Sequence, residues 1–191
     1  MSTPRVLVFA GSARRASLNK ALSRVAAESA RKAGLEVTWI DLRDFPIPLY
    51  DGDLEAEQGI PEHARRLRQL LDEHQGLIIV SPEYNGFITP LIKNTLDWIS
   101  RPDGEVDGLA SFRNKVALVM SASPGAFGGI RSLALIRQLL SQLGVTVLPE
   151  QLSVPRAHQA FNENGELQDD KLASRLDTMT QRLAQVLRHW P

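Results

Sequence analysis

The stretch "VLVFAGSARRASLNKAL", residues 6–22, decides how the chain is read. A run of apolar β-formers ends at Gly11, and apolar positions return at helical spacing from Leu18. Between them stand Ser12, Arg14, Arg15, Ser17 and Asn19, a dense set of hydrogen-bond donors at one strand-to-helix junction.

The same alternation continues outward. Val37 to Ile40, Leu77 to Val80, Val116 to Met120 and Val145 to Leu148 join Val6 to Phe9 as short, continuous apolar runs. Such runs suit strands buried on both faces. Helical stripes separate them: Leu18, Leu22, Val25, Ala26, Ser29 and Ala33; Ala64, Leu67, Leu71 and His74; Leu133, Ile136, Leu140 and Leu143. A last stripe runs through Leu172, Leu176, Met179, Leu183 and Val186. Gly34 and Gly144 stand where helix C-caps would precede the next strand. Strand and helix therefore alternate, the pattern of an α/β fold whose parallel sheet carries helices on both faces.

The 191 residues, 43% hydrophobic and 23% charged, fit one domain over 1–191 with a single core. Lys plus Arg and Asp plus Glu both number 22, so no global field recruits nucleic acid or an anionic membrane, and any anion site has to be local. The absence of cysteine excludes disulfides, thiolate catalysis and cysteine-ligated metals. The N-terminus enters a strand without a secretory pattern, and no apolar run approaches the ~18 residues of a membrane helix. A cytoplasmic protein is expected. The irregular segments 41–61, 101–114 and 155–170 exceed usual connection lengths, and read equally as site walls, subunit contacts or surface excursions.

Five doubly wound parallel strands commonly take the order 2-1-3-4-5, with a crevice between strands one and three. In that order the loops after strands one, three and four, "GSARRASLN", "SPEYNGFITP" and "SASPGAFGG", share the carboxyl edge. The first opens a helix, whose free N–H groups and positive end favour an anion such as a terminal phosphate. Ser12, Ser17 and Asn19 add neutral donors, and Arg14 or Arg15 a planar cationic fork. The alternative is that Ser17 merely caps the helix and the arginines are solvated. In the second loop, Pro82 and Gly86 shape a tight turn, Glu83 and Asn85 are polar, and Tyr84 and Phe87 could flank a flat ring. The third is rich in glycine (Gly125, Gly128, Gly129), open to close approach by a ligand or a second backbone. Neither a Walker loop nor GxGxxG occurs.

"GSARRASLN" followed by "PEYNGFITPLIKNTLDW", with "FPIPLYDGD" between, resembles the NAD(P)H-dependent FMN reductases of the flavodoxin-like superfamily, a group that includes quinone, chromate and azo-dye reductases. The resemblance implies that Ser12, Arg14, Ser17 and Asn19 hold the FMN phosphate, with Leu18 contributing backbone. It implies further that Pro82, Glu83, Tyr84, Asn85 and Gly86 line the isoalloxazine ring, and that Ser121 with Gly128 closes the other side. NADPH or NADH would be the reductant, a small-molecule electron acceptor the second substrate, and a homodimer or homotetramer the assembly, with the Trp98 helix near a subunit contact. No residue is assigned as catalytic and none as a metal ligand. His63, His74, His158 and His189 are scattered and read as packing or surface residues. Two rival readings are a flavodoxin-type electron carrier without nicotinamide activity, and a regulator binding a phosphorylated metabolite. The neutral chain and the Ser, Arg and Asn loop fit an acidic, threonine-rich flavodoxin less well.

Overall fold

In the computed structural model, which describes residues 3–190, the five apolar runs are strands: β1 (Arg5–Ala10), β2 (Glu36–Asp41), β3 (Gly76–Val80), β4 (Val116–Ala122) and β5 (Thr146–Val154). They pair in parallel in the expected order β2-β1-β3-β4-β5. The helices are α1 (Leu18–Lys32), α2 (Gly52–Gln58), α3 (Glu62–Asp72), α4 (Pro90–Ile99), α5 (Ile130–Gln142) and α6 (Asp170–Arg188). Alternate side chains of the central strands divide between two cores. Val6, Val8, Ile78, Val80, Leu118 and Met120 pack with Leu22 and Ala26 of α1 and Leu176 and Leu183 of α6. Leu7, Phe9, Leu77, Ile79 and Val119 pack with Leu67 of α3, Ile92 of α4 and Leu133 of α5. Burial on both faces is why these strands read as unbroken apolar runs.

Gly34 and Gly144 do terminate helices. They take φ of +84° and +94°, and each is flanked by the double bond of a Schellman end, with Leu35 donating to Ala30 and Val145 to Leu140. Two readings need correction. β5 runs well beyond Leu148, across a register shift opposite Ala117 to Val119, because its second half alternates and contains Pro149 and Glu150, which hide it from an apolar-run search. The segment 41–61 contains α2, whose N-cap Asp51 accepts from the Asp53 amide. The Trp98 side chain of α4 is fully buried, and its indole N–H donates to the Pro48 carbonyl at 2.8 Å. Asn94 binds the same strap at both ends, donating to Pro48 and accepting from the Tyr50 amide. These bonds tie "FPIPLY" to α4.

His74 lies past the end of α3 and is buried. Its Nδ1 stands 2.5 Å from the Leu70 carbonyl and its Nε2 2.8 Å from Thr38 Oγ1. A carbonyl only accepts, so Nδ1 carries the proton and Nε2 accepts from the threonine hydroxyl. Burial holds the imidazole below its ordinary pKa, against the raising effect of the Leu70 bond. Because the folded state resists a proton that the unfolded chain takes up near pH 6.5, stability is expected to fall as pH drops below that value. The His74→Gln variant is expected to show a flatter acid limb in a Tm-versus-pH series.

α1 is pinned across the sheet. The carboxamide of buried Asn19 donates to the Ala122 carbonyl at 2.7 Å and accepts from the Ala122 amide at 2.9 Å, joining the helix start to the end of β4. Asn19→Ala orphans both backbone groups at about 1–3 kcal/mol each. Chemical denaturation is expected to show a lowered midpoint with an unchanged slope.

Candidate functional site

Register places the three donor-bearing loops side by side. Ala10 pairs with Val80, and Val80 with Met120, so Gly11 and Ser81 leave the sheet level with Ser121, the penultimate residue of β4. The ladder continues one rung into the loops, with Gly11 donating to Val80 and Ser81 to Met120. Thr89, the N-cap of α4, closes the gap between the first two loops: its hydroxyl donates to the Gly11 carbonyl at 2.9 Å and accepts from the Ile92 amide. A side chain at Gly11 would lie 2.1 Å from Ile92, so the backbone there sits directly on α4.

In the first loop, Ser12 and Ser17 are buried, whereas Arg14 and Arg15 are exposed with no hydrogen bond or ion pair from either guanidinium among the described residues. Ser17 is the N-cap, as the simpler reading had it, and satisfies the Lys20 amide. The first-turn amides of Leu18 and Asn19 remain as donors at the positive end of a 15-residue helix. The Asn19 carboxamide answers both polar groups of Ala122, so its side chain positions the helix, while its backbone N–H and its second carboxamide hydrogen have no partner among the described residues. Lys20 is also committed, its ammonium 2.6 Å from Asp41 and its side chain 3% exposed.

The second loop is a hairpin turn. Tyr84 and Phe87 exchange backbone bonds of 3.0 Å, and Asn85 and Gly86 between them take φ of +52° and +77°. Those paired positive values are what Asn-Gly supplies in a I′ turn. Pro82 and Ser81 are buried beneath it, while Tyr84 and Phe87 stand exposed. Glu83 immediately precedes the turn. Its carboxylate turns toward α5, accepting from the Arg131 amide at 3.0 Å and the Ser132 amide at 3.3 Å and pairing with the Arg131 guanidinium. Burial pushes this carboxyl up, but the bonds from Arg131 and Ser132 together with the Arg131 charge outweigh it, and the pKa lies below the ordinary value.

In the third loop, Gly128 and Gly129 take φ of +61° and +82°. A Cβ on Gly128 would meet backbone of Val154 and Pro155 at 2.8 Å, so here the close approach is by a second backbone. A Cβ on Gly129 would fall 1.9 Å from Ser121 Oγ. That hydroxyl is buried and has no partner among the described residues. Thr89 and Arg131 escaped the sequence reading. Thr89 was legible as the N-cap before Pro90, whereas nothing local marks Arg131 as the partner of a residue 48 positions away. Among the described residues no His, Cys, Asp and Glu gather into a metal-binding group.

The edge thus offers a phosphate-sized set of donors next to a backbone turn and a buried unpartnered hydroxyl. Those features suit a phosphorylated ligand with a flat head. The comparisons agree in family. A curated quinone reductase of Escherichia coli strain K12 is 32% identical over 183 residues, covering 94% of this chain and 91% of that protein. An NAD(P)H-dependent FMN reductase of Pseudomonas aeruginosa is 32% identical over 187 residues, covering 97% and 94%. The solved structure of FerB, a flavoenzyme NAD(P)H:(acceptor) oxidoreductase from Paracoccus denitrificans, superposes with a TM-score of 0.80 at 27% identity, covering 98% of this chain and 99% of that one. The family model described as NADPH-dependent FMN reductase matches residues 4–159, and the chain belongs to that family of oxidoreductases.

Proposed function

We propose that the chain binds FMN at this edge and oxidises NADPH or NADH, delivering the electrons to a small-molecule acceptor such as a flavin, a quinone, chromate or an azo compound. One observation carries the reading: parallel register brings an anion-ready helix start, a backbone turn and a glycine-lined hydroxyl to a single level. The residues fit the cofactor. Ser12 and Ser17 hydroxyls, the amides of Leu18 and Asn19, and the free Arg14 guanidinium form a donor set for a phosphate; Arg15 adds a second cation. The amides of Glu83, Asn85 and Gly86 would serve a heterocycle, with Pro82 and Tyr84 shaping the turn that presents them, and Ser121 with Gly128 would close the other side.

FMN supplies the hydride chemistry when bound, so no side chain has to serve as acid, base or nucleophile. The protein's part is to hold, orient and polarise. Amide donors on the second loop favour negative charge at the pyrimidine end, as an oxyanion site does. The reaction is a two-step exchange in which nicotinamide and acceptor use one open face in turn. The active form is a homodimer or homotetramer; exposed Phe87 and Phe127, 55% and 69% accessible on the rim loops, give an assembly its apolar contact.

The purified protein is expected to bind FMN with near one-to-one stoichiometry in an absorbance titration and to oxidise NADPH or NADH rapidly when a quinone is added. Flavin binding with no nicotinamide turnover would instead identify an electron carrier, and no flavin binding would sink the reading. Arg14→Ala is expected to weaken FMN binding about 10- to 100-fold, the loss of a charge-assisted bond of about 1.5–3 kcal/mol, with Tm unchanged. Equal FMN affinity in the variant removes Arg14 from the phosphate site.

A further inference from the structure

The second and third loops are joined by an ion pair that faces the turn. Glu83, its side chain 7% exposed, accepts from two amides at the start of α5 and from the guanidinium of Arg131, whose Nε is 2.7 Å from Oε1. Arg131 is the more exposed partner, with 65% of its side chain accessible. It reaches back over the hairpin turn: a Cβ on Gly86 would lie 4.0 Å from Arg131 Nε. Phe127 packs on the same guanidinium, 5.9 Å from ring centroid to Cζ. On the other side, a Cβ on Gly129 would stand 3.5 Å from Glu83 Cβ and 1.9 Å from Ser121 Oγ. One carboxylate and two positive sources, the guanidinium and the N-terminus of a 13-residue helix, therefore meet where the turn and the glycine loop touch.

We infer that Glu83 and Arg131 are a charge-balanced positioning pair that sets the electrostatic environment of the flavin head, and hence the ease of its reduction, without contributing to phosphate binding. The inference rests on the FMN reading above. Its argument is one of sign. Reduction adds negative charge to the ligand beside the turn, and in a partly desolvated site an added positive charge favours that change while an added negative charge opposes it. Glu83 cancels the Arg131 charge and the helix end. Without its carboxylate both would act uncompensated; without the guanidinium, the carboxylate would be left with amide partners alone. A purely mechanical clasp has no such sign. Loosening either half of it would disturb the turn in the same way.

The test uses the FMN-loaded full chain and three variants: Glu83→Gln, which keeps an acceptor for the α5 amides, Arg131→Met, and both together. Two quantities are read, the midpoint potential of bound FMN by dye-equilibrated reduction and the Kd for FMN by fluorescence quenching. The expected result is a more positive potential in Glu83→Gln, a more negative one in Arg131→Met, and a return toward wild type in the double variant. Kd changes in all three are expected to stay within about tenfold, since the phosphate donors are untouched. Shifts of the same sign in both single variants, or none in either, overturn the inference and leave the pair as a structural clasp. Because Arg131 is exposed, its variant gives the answer even where Glu83→Gln fails to fold: an unchanged potential in Arg131→Met alone is contrary to the proposal. Failure of the wild type to bind FMN is a separate outcome, which removes the functional reading and this inference with it.

Discussion

The site depends on where α1 begins, and that is held by one side chain. Asn19 spans from the first turn of α1 to the last residue of β4, presenting an acceptor and a donor to the two polar groups of Ala122. β3 lies between β1 and β4 in the sheet, so the pair crosses the width of the crevice. An amide is the one neutral group of this length that answers both an N–H and a C=O. An aspartate would meet only the first and bring a charge into a position 5% exposed. With the helix start fixed, its free amides, Ser12 and Ser17 belong to the same edge of the sheet as the hairpin turn. Thr89 performs the matching task between the first and second loops, and Glu83 between the second and third.

The cross-links explain how a neutral chain concentrates positive charge. Most guanidiniums and ammoniums near the edge are spoken for: Lys20 by Asp41, Arg131 by Glu83, Lys93 by Asp97. Among the described residues the Arg14 and Arg15 guanidiniums have no partner, and both stand beside a helix N-terminus. A formal net charge of zero is therefore compatible with a local anion site, because charge pairing elsewhere leaves the field at this point to two side chains and a dipole.

Local patterns were legible from the sequence where one physical cause acted alone. The continuous runs in β1, β3 and β4 declared themselves because both faces are buried. The ends at Gly34 and Gly144 did so because a left-handed residue is needed there. β5 was read too short because an edge strand with one wet face alternates, and Pro149 mimics a break. α2 was missed because seven residues with no buried side chain carry no periodic stripe, only the capping aspartate. At the site, residue types suggest donors for a ligand, and long-range pairing gives two of them a second task. Asn19 and Glu83 look like ligand donors in one dimension, yet each side chain is taken by backbone, 103 positions away for the first and 48 for the second. A polar residue in a glycine-rich turn is equally suited to hold a ligand or another loop, and only the fold distinguishes the two.

Perturbed titration often points to chemistry, but two buried groups of this fold are shifted by packing instead. His74 and Lys115 both lie below their ordinary pKa values through burial, and Lys115 donates to the His74 carbonyl at 2.6 Å. Both sit at the amino edge, one just before β3 and the other just before β4, far along the strands from the three loops. Their bonds go to backbone carbonyls and a threonine, and burial is the largest cause of both shifts, so the shifts record packing of the strand entries. At the carboxyl edge the shifted group is Glu83, and it is shifted down, toward a permanent charge. A proton-transferring site would hold a group near the neutral range. This edge instead holds fixed charges and backbone dipoles, the arrangement suited to a ligand that brings its own reactivity and needs only a field around it.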